Sequence, residues 1–198
     1  MKFYCLRFDP VYKDIQYASD TDWATIICPV HDGHQRAGHR IGPLRFSIID
    51  RIDREFYWTN LSELVITENV LGLLKEADVS GFNVARAELI NRPSDLAFFE
   101  FMPTGNGGMA DNIEIRYECQ FCGVKDFAEK SQPKEEHFLE LKNGITVNPA
   151  NWDGSDVFTV IGPSRIILIT DKVKQLIEQN KLKGVVIAHA EDFKKRVY

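Results

Sequence analysis

The sequence predicts an α+β fold in which mixed β-sheets are combined with two similar strand–helix–strand modules. Alternating segments that are rich in aromatic and β-branched residues predict the strands. A pattern of strand, short helix and strand that occurs twice predicts the modules. A chain of 198 residues is long enough to bury a substantial core, so we expect residues 1–198 to form a single domain.

Composition and charge exclude two broad classes of protein. The chain has 24 Lys and Arg residues against 29 Asp and Glu residues, a formal charge of −5 that argues against a generally basic nucleic-acid binder. The longest apolar runs, such as Ile166–Ile169, are far shorter than the ~20 residues that cross a bilayer. The opening MKFYCLRFDP contains no apolar signal core, so we expect a cytoplasmic protein with no membrane partner.

The strands are predicted in order from the N-terminus. Lys2–Phe8 alternates and is rich in aromatic residues, and Trp23–Ile27 is a short apolar run. Further alternating segments predict strands at Leu96–Phe101 and Ile113–Glu118. The glycine-rich Pro103–Gly108 lies between these two strands. No GK[ST] motif and no helix start follow it, which favours a hairpin tip over a phosphate loop.

The modules, at residues 64–90 and 167–193, form an internal repeat. Leu64–Glu88 aligns without gaps onto Ile167–Glu191 at a constant offset of 103 residues. Identical residues at this offset include Thr67 and Thr170, Val70 and Val173, Leu73 and Leu176, Gly81 and Gly184, Ala85 and Ala188, Ala87 and Ala190, and Glu88 and Glu191. Duplication of one unit and independent use of a common supersecondary unit both account for the match, and both remain open.

Each copy has the residues of a compact module. The apolar strand ends at a threonine, Thr67 or Thr170, which can cap the next helix, and an acidic residue follows in the first turn. Apolar residues then recur at helical spacing, and Gly81 or Gly184 permits a left-handed turn into the next strand. We therefore expect helices that begin near the two threonines and end shortly before the two glycines.

Two turns carry the residues that predict chemistry. Cys119-Gln-Phe-Cys122-Gly123 follows a predicted strand and has the spacing of a zinc knuckle, in which two thiolates converge and glycine relieves the backbone. Cys28-Pro-Val-His31 places two more potential ligands at the same spacing, with His31 and Cys119 88 positions apart. Three thiolates and one imidazole suit one structural zinc ion. The fold is therefore expected to contain a zinc-ribbon-like pair of knuckles.

The sequence leaves two points about this site open. His34 competes with His31 as the fourth ligand, and His39 is a weaker candidate. Buried thiols beside an unrelated histidine turn would also explain these residues without a metal, because cysteine is often buried as a small apolar side chain. We expect the knuckle region to form a sublobe of residues 1–55 and 96–150.

The same cysteines do not fit known catalytic motifs. A zinc deaminase needs a proline before its C-x-x-C, but Glu118 stands before Cys119. A thiol oxidoreductase needs its C-x-x-C at the start of a helix, whereas this pair follows a predicted strand. Four protein ligands would leave no position on the metal for a catalytic water. We therefore expect no catalytic residues, no organic cofactor site and no enzyme activity.

The assembled motifs resemble the double-CXXCG motif family of bacterial proteins. The resemblance rests on these segments: MKFYCLRF, CPVHDG, GPLRFSIIDRIDREFYWTNLSELVIT, CQFCG, DVFTV and LITDKVKQLIEQNKLKGVVI. It departs from the family at the first motif, where His31 replaces the second cysteine and one extra residue precedes the glycine. A histidine in place of a cysteine is still a zinc ligand, so the site is expected to survive the change.

The resemblance implies a non-catalytic immunity protein that protects a cell against toxins exchanged between kin. Its partner would be a cognate protein toxin, and zinc would only stabilise the fold. The acidic balance of the chain is compatible with capture of a basic toxin, because complementary charge speeds association.

The alternative is a zinc-ribbon regulator that binds nucleic acid, and this function would need a basic face. The residues near the first knuckle that could supply one are Arg36, His39, Arg40, Arg45, Arg51 and Arg54.

Overall fold

The structure is a computed structural model that describes residues 1–133, 139–162 and 166–197. Within these residues the chain forms seventeen strands and two α-helices. The strands are β1 (Phe3–Phe8), β2 (Gln16–Tyr17), β3 (Asp22–Ile26), β4 (Arg36–Ile41), β5 (Arg45–Ser47), β6 (Phe56–Trp58), β7 (Leu64–Thr67), β8 (Phe82–Leu89), β9 (Phe98–Pro103), β10 (Gly105–Met109), β11 (Ile113–Glu118), β12 (Lys125–Glu129), β13 (Leu139–Leu141), β14 (Val157–Ile161), β15 (Ile167–Thr170), β16 (Val185–His189) and β17 (Lys195–Val197). The helices are α1 (Glu68–Glu76) and α2 (Asp171–Gln179).

Two larger sheets and three two-stranded ribbons make up the β-structure of the described residues. One sheet has the order β10-β14-β15-β1-β16, and the other has the order β2-β5-β8-β9-β7-β6. Each sheet contains one parallel pair, β10 with β14 and β5 with β8, and its other pairs are antiparallel. The ribbons are β3-β4, β11-β12 and β13-β17. The predicted α+β fold with mixed sheets is therefore confirmed. The predicted sublobe of residues 1–55 and 96–150 stays a prediction, and its residues 134–138 lie outside the described part.

The largest hydrophobic core is shared by both sheets and both helices. The helices contribute buried side chains at helical spacing: Val70, Leu71 and Leu74 from α1, and Val173, Leu176 and Ile177 from α2. Alternate residues of the strands face this core or a smaller one on the opposite side of their sheet. In β1, for example, Tyr4 faces the shared core and Cys5 faces a smaller one. Strands such as β1, β7 and β15 are therefore buried on both faces.

The expected threonine caps do not form. Helix α1 begins directly after Thr67 and helix α2 directly after Thr170, but neither hydroxyl bonds to its helix. The Thr170 hydroxyl instead donates to Asp156 Oδ1 at 3.0 Å, and the buried Thr67 Oγ1 has no hydrogen-bond partner. At α1, the first helical N–H, that of Glu68, donates to the carbonyl of Ala97 at 2.9 Å. At α1, a tertiary contact therefore replaces the expected threonine cap.

The glycine-rich segment between β9 and β11 is not a hairpin tip, so that expectation is wrong. It forms β10, which pairs in parallel with β14. A Cβ atom on Gly105 would lie 2.3 Å from the carbonyl oxygen of Val157, and one on Gly107 would lie 2.9 Å from the ring of Phe158. These glycines are needed for close approach of two strands rather than for a turn.

Backbone hydrogen bonds join the two sheets at two places. Val157 of β14 donates its N–H to the carbonyl of Ser80 at 3.0 Å, and Phe56 of β6 donates its N–H to the carbonyl of Lys183 at 3.1 Å. Ser80 and Lys183 each precede a glycine with a positive φ. The turn after each helix therefore packs against a strand of the other sheet.

Asp156 accepts several hydrogen bonds at the first of these contacts. Its Oδ2 atom accepts from the N–H of Ser80 at 3.1 Å and from Lys172 Nζ at 3.0 Å, and its Oδ1 atom accepts from Thr170. Burial acts to raise the pKa of this carboxyl, but the donors outweigh burial and hold the pKa below its usual range. The ionised form of Asp156 therefore stabilises the contact.

Replacing Asp156 by asparagine is expected to lower the free energy of unfolding at pH 7 by about 1–2 kcal/mol. Because the folded chain has the lower pKa, the carboxylate stabilises the fold above the unfolded-state value of about 3.9, and this effect is lost as the pH falls through the folded-state pKa. Urea unfolding at pH 7 and pH 3 measures the difference between wild type and variant. The difference should shrink at pH 3, and an equal difference at both values would contradict this role.

Candidate metal centre

Two β-hairpin turns bring the predicted ligands together. In the β3-β4 ribbon, Ile26 pairs with Arg36, and the loop between them contains Cys28 and a 3-10 turn at Asp32–His34. In the β11-β12 ribbon, Glu118 pairs with Lys125, and the loop between them contains Cys119 and Cys122. Each hairpin therefore offers two potential ligands at its end.

The turn that carries Cys119 and Cys122 is held by its own backbone. Cys119 donates its N–H to the carbonyl of Val124 at 2.8 Å, and Gly123 donates its N–H to the carbonyl of Cys119 at 2.9 Å. Gly123 has a φ of +67°, a conformation that favours glycine. This glycine therefore has the backbone role that the sequence predicts for it.

Cys28, His34, Cys119 and Cys122 form a compact group in which the ligand atoms all lie within 4.8 Å of one another. The sulfurs of Cys28 and Cys119 are 3.8 Å apart, and Cys122 Sγ is 3.5 Å from His34 Nδ1. Zinc bonds of about 2.3 Å to sulfur and 2.0–2.1 Å to nitrogen would place tetrahedral neighbours about 3.8 Å (S–S) and 3.5 Å (S–N) apart. The sulfurs are too far apart for a disulfide of about 2.05 Å. The four residues could therefore hold one metal ion.

The two histidines left open by the sequence occupy different places. His34 lies in the group of ligands, at the end of the 3-10 turn. Its backbone N–H donates to the backbone carbonyl of His31 at 3.0 Å. His31 lies beside it, with ring centroids 4.7 Å apart, but outside the group. His39 lies on β4 and lines a separate cavity.

Local hydrogen bonds favour thiolates at two of the cysteines. The backbone N–H groups of Cys122 and Phe121 lower the pKa of Cys119 to about 5, and His34 adds to this effect. Burial acts to raise the pKa of Cys122, but the Val124 N–H and the Arg36 guanidinium hold it below its usual value. Burial raises the pKa of Cys28. A bound cation would favour the thiolate at this third cysteine as well.

Cys5 provides a contrast within the same chain. Its side chain is fully buried in β1, and burial raises its pKa to about 12. No charged partner compensates for the burial beyond a weak effect of Arg7. Cys5 is therefore a packed core thiol, as its position in an alternating strand predicts.

Arg36 supports the site from outside the ligand group, a role that the sequence did not indicate. Its Nη1 atom lies 3.9 Å from Cys122 Sγ, its Nη2 atom donates to the carbonyl of Cys122 at 3.1 Å, and Nη1 also donates to the carbonyl of His34 at 3.0 Å. One cation thus holds the ends of both hairpins and offsets part of the negative charge of the thiolates. No signal in the linear sequence links Arg36 to a cysteine 86 positions away.

Replacing Arg36 by alanine is expected to weaken metal binding about tenfold or more, because supporting residues of this kind orient the ligands. Competition against a chromophoric zinc chelator measures the affinity. The exposed Arg51, replaced by alanine, is the matched control and should leave the affinity unchanged. Equal affinities for wild type and the Arg36 variant would remove Arg36 from the site.

The chain contains one H-x-E sequence, His189-Ala190-Glu191, the element in which a zinc deaminase holds its proton-transferring glutamate. His189 ends β16, and its ring lies 4.7 Å from the ring of Tyr4. It is not among the clustered ligands. The metal group and the H-x-E sequence therefore do not combine into a deaminase site.

Neither helix of the described residues is long and apolar enough to cross a membrane. The sequence matches no protein-family model. It also matches no curated protein.

Proposed function

We propose that this chain is a cytoplasmic, non-catalytic immunity protein that binds and neutralises a cognate bacterial toxin, with one zinc ion as a structural element. The main support is the group of Cys28, His34, Cys119 and Cys122, which supplies four protein ligands. Four protein ligands complete a tetrahedron, and sites of this kind stabilise folds rather than activate water. The immunity function itself is inferred from the CQFCG motif and from the resemblance to the double-CXXCG family.

Zinc is the metal that this donor set favours. Three thiolates and one imidazole are soft to borderline ligands in a tetrahedral arrangement, which zinc prefers and which magnesium and calcium do not. The ends of the β3-β4 and β11-β12 hairpins have no disulfide between them, since all four cysteines of the chain are free thiols. Zinc would thus join two ribbons that are distant in the sequence, in the manner of a zinc ribbon.

The regulator function has less support, because four of the five arginines near the first knuckle are neutralised or engaged, Arg51 being the exposed remainder. The ion pairs are Arg40 with Glu100 and Glu63, Arg45 with Asp20 and Glu88, and Arg54 with Asp50. Arg36 is bonded to the backbone of the two knuckles. A face that binds the phosphate backbone needs cations that are free to replace counterions. These contacts argue against nucleic acid as the partner.

We also propose that the two strand–helix–strand modules arose by duplication. Helices α1 and α2 and their preceding strands keep the offset of 103 residues at both ends. The order β6-β7-β9-β8 in one sheet corresponds to β14-β15-β1-β16 in the other. Gly81 and Gly184 have φ values of +85° and +95°, and each lies against a strand of the other half. Two copies of one unit related by a two-fold axis would have this reciprocal contact.

Co-expression with the toxin encoded beside the gene tests the immunity function. The chain should rescue growth and form a specific complex with the toxin, while the Cys119→Ser variant should fail to rescue because loss of the metal destabilises its fold. Reversing the charge of the exposed Glu76, at the C-terminal end of α1, should weaken complex formation without lowering the melting temperature, because a positive charge is favourable at that end of a helix. If no neighbouring toxin is neutralised and the folded protein binds DNA or RNA instead, the regulator function replaces this proposal.

A further inference from the structure

A cavity of about 720 Å³ lies between the β3-β4 hairpin and strands of both sheets. Trp23 of β3 and Arg40 of β4 line it on one side, and Leu64, Phe101 and Ile167 line it on the sheet side. Its volume is within the range of pockets that bind small molecules, and most such pockets are apolar with a few polar groups. The cavity is separate from the metal centre, since no metal ligand lines it.

Three charged side chains meet at the wall of this cavity. Arg40 Nη2 is 2.5 Å from Glu100 Oε2, with the Arg40 side chain 7% exposed and the Glu100 side chain 13% exposed. Arg40 Nε is 3.7 Å from Glu63 Oε2, too far for a hydrogen bond. Both of these buried atoms lack a hydrogen-bond partner. Arg40 also donates to the carbonyl of Gly42.

The charges at this wall do not balance. One guanidinium faces two carboxylates, so the cluster carries one excess negative charge. A half-buried carboxylate without a full set of hydrogen bonds is costly, and a second cation would relieve that cost. The rest of the lining is mainly apolar, with His39, Ser62 and Thr159 as further polar residues, and the Trp23 ring offers a face to which a cation is attracted.

We propose that this cavity binds a small organic cation, an ammonium or guanidinium group on an apolar stem. The cationic group lies against the carboxylate of Glu63, whose Oε2 atom has no hydrogen-bond partner, and the stem packs against Trp23 and Phe101. This site is independent of the proposed immunity function. The metal centre would help to position the cavity wall, because Arg40 lies on β4 and this strand begins two residues after the ligand His34.

Isothermal titration calorimetry of the full chain as purified tests the site with phenethylamine as the probe. Two analogues of the same shape, neutral 2-phenylethanol and anionic phenylacetate, are the ligand controls. Phenethylamine should bind at least about tenfold more tightly than either analogue, because a charge-assisted hydrogen bond is lost in both. The fluorescence of Trp23 should change on binding, and this change should be absent in the Trp23→Phe variant.

Glu63→Gln is the informative variant, because Glu63 is the carboxylate without a close partner and its replacement leaves the Arg40–Glu100 pair intact. It should reduce phenethylamine affinity about tenfold or more and leave 2-phenylethanol affinity unchanged. Glu88→Gln is the matched control: Glu88 pairs with Arg45 on the surface and does not line the cavity. It should leave both affinities unchanged.

Three results with these probes would overturn the proposal. They are equal binding of all three probes, phenethylamine binding that Glu63→Gln leaves intact, and no heat with any probe although the protein is folded. A capped Leu-Lys-Leu peptide that binds more tightly than phenethylamine would also overturn it, since the ligand would then be a basic side chain of a protein. Failure of toxin rescue has no bearing on any of these measurements.

Discussion

The Cys119→Ser variant is expected to lose metal binding and to melt about 10 °C or more below the wild type. Cys119 is 2% exposed, and two backbone N–H groups stabilise its thiolate, so the serine hydroxyl would be a poor ligand in the same place. Without the metal, the ends of two hairpins would bring thiolates together with no cation between them. Differential scanning calorimetry and elemental analysis measure both effects.

A chelator provides the internal control for this variant. It should lower the melting temperature of the wild type and leave that of Cys119→Ser almost unchanged, because the variant has no metal to lose. The two neighbouring histidines provide a matched pair: His34→Ala should lose the metal, whereas His31→Ala should retain it. Retention of the metal by His34→Ala together with its loss in His31→Ala would assign the fourth ligand to His31 instead.

The Gly184→Ala variant is expected to lose about 3 kcal/mol of unfolding free energy or more. Gly184 has a φ of +95°, which disfavours any side chain, and a Cβ atom there would lie 2.1 Å from the carbonyl oxygen of Phe56. Gly81 is placed in the same way, with a Cβ atom 2.0 Å from the carbonyl oxygen of Val157. Either alanine would have to separate a helix turn from the other sheet. Chemical denaturation measures the loss for each variant.

Gly72→Ala is the matched control for these two variants. Gly72 lies within α1, and nothing lies within 4 Å of the position its Cβ atom would take. Alanine is the better helix former, so this variant should gain about 0.5–1 kcal/mol. A loss at Gly72 as large as the loss at Gly184 would show that the contact between the sheets is not the cause.

Local sequence pattern predicted the elements that depend on nearby residues. Alternation predicted strands at Lys2–Phe8 and Ile113–Glu118, and the structure has strands at Phe3–Phe8 and Ile113–Glu118. The hairpin tip predicted at Pro103–Gly108 is wrong, because Gly105–Met109 forms β10 and its partner strand β14 is distant in the sequence. A single sequence does not distinguish a glycine that is required for close packing of two strands from one that is required for a turn.

The candidate site could be predicted in part for the same reason. The C-x-x-C spacing singles out Cys119 and Cys122, since both ligands lie in one short turn. The choice between His31 and His34 depends on how a single 3-10 turn directs the chain, which spacing alone does not determine. The contacts of Arg36 with the metal ligands, and the cavity that Arg40 lines, form only when the hairpins and sheets pack together. Neither could therefore be predicted from spacing in the sequence.

Zinc K-edge X-ray absorption spectroscopy of the protein as purified tests most directly whether one zinc ion joins the two hairpins. The expected result is one zinc per chain, with three sulfur ligands at about 2.3 Å and one nitrogen ligand at about 2.0–2.1 Å. A protein purified without chelator that contains no zinc, or whose zinc is bound mainly by oxygen, would contradict it.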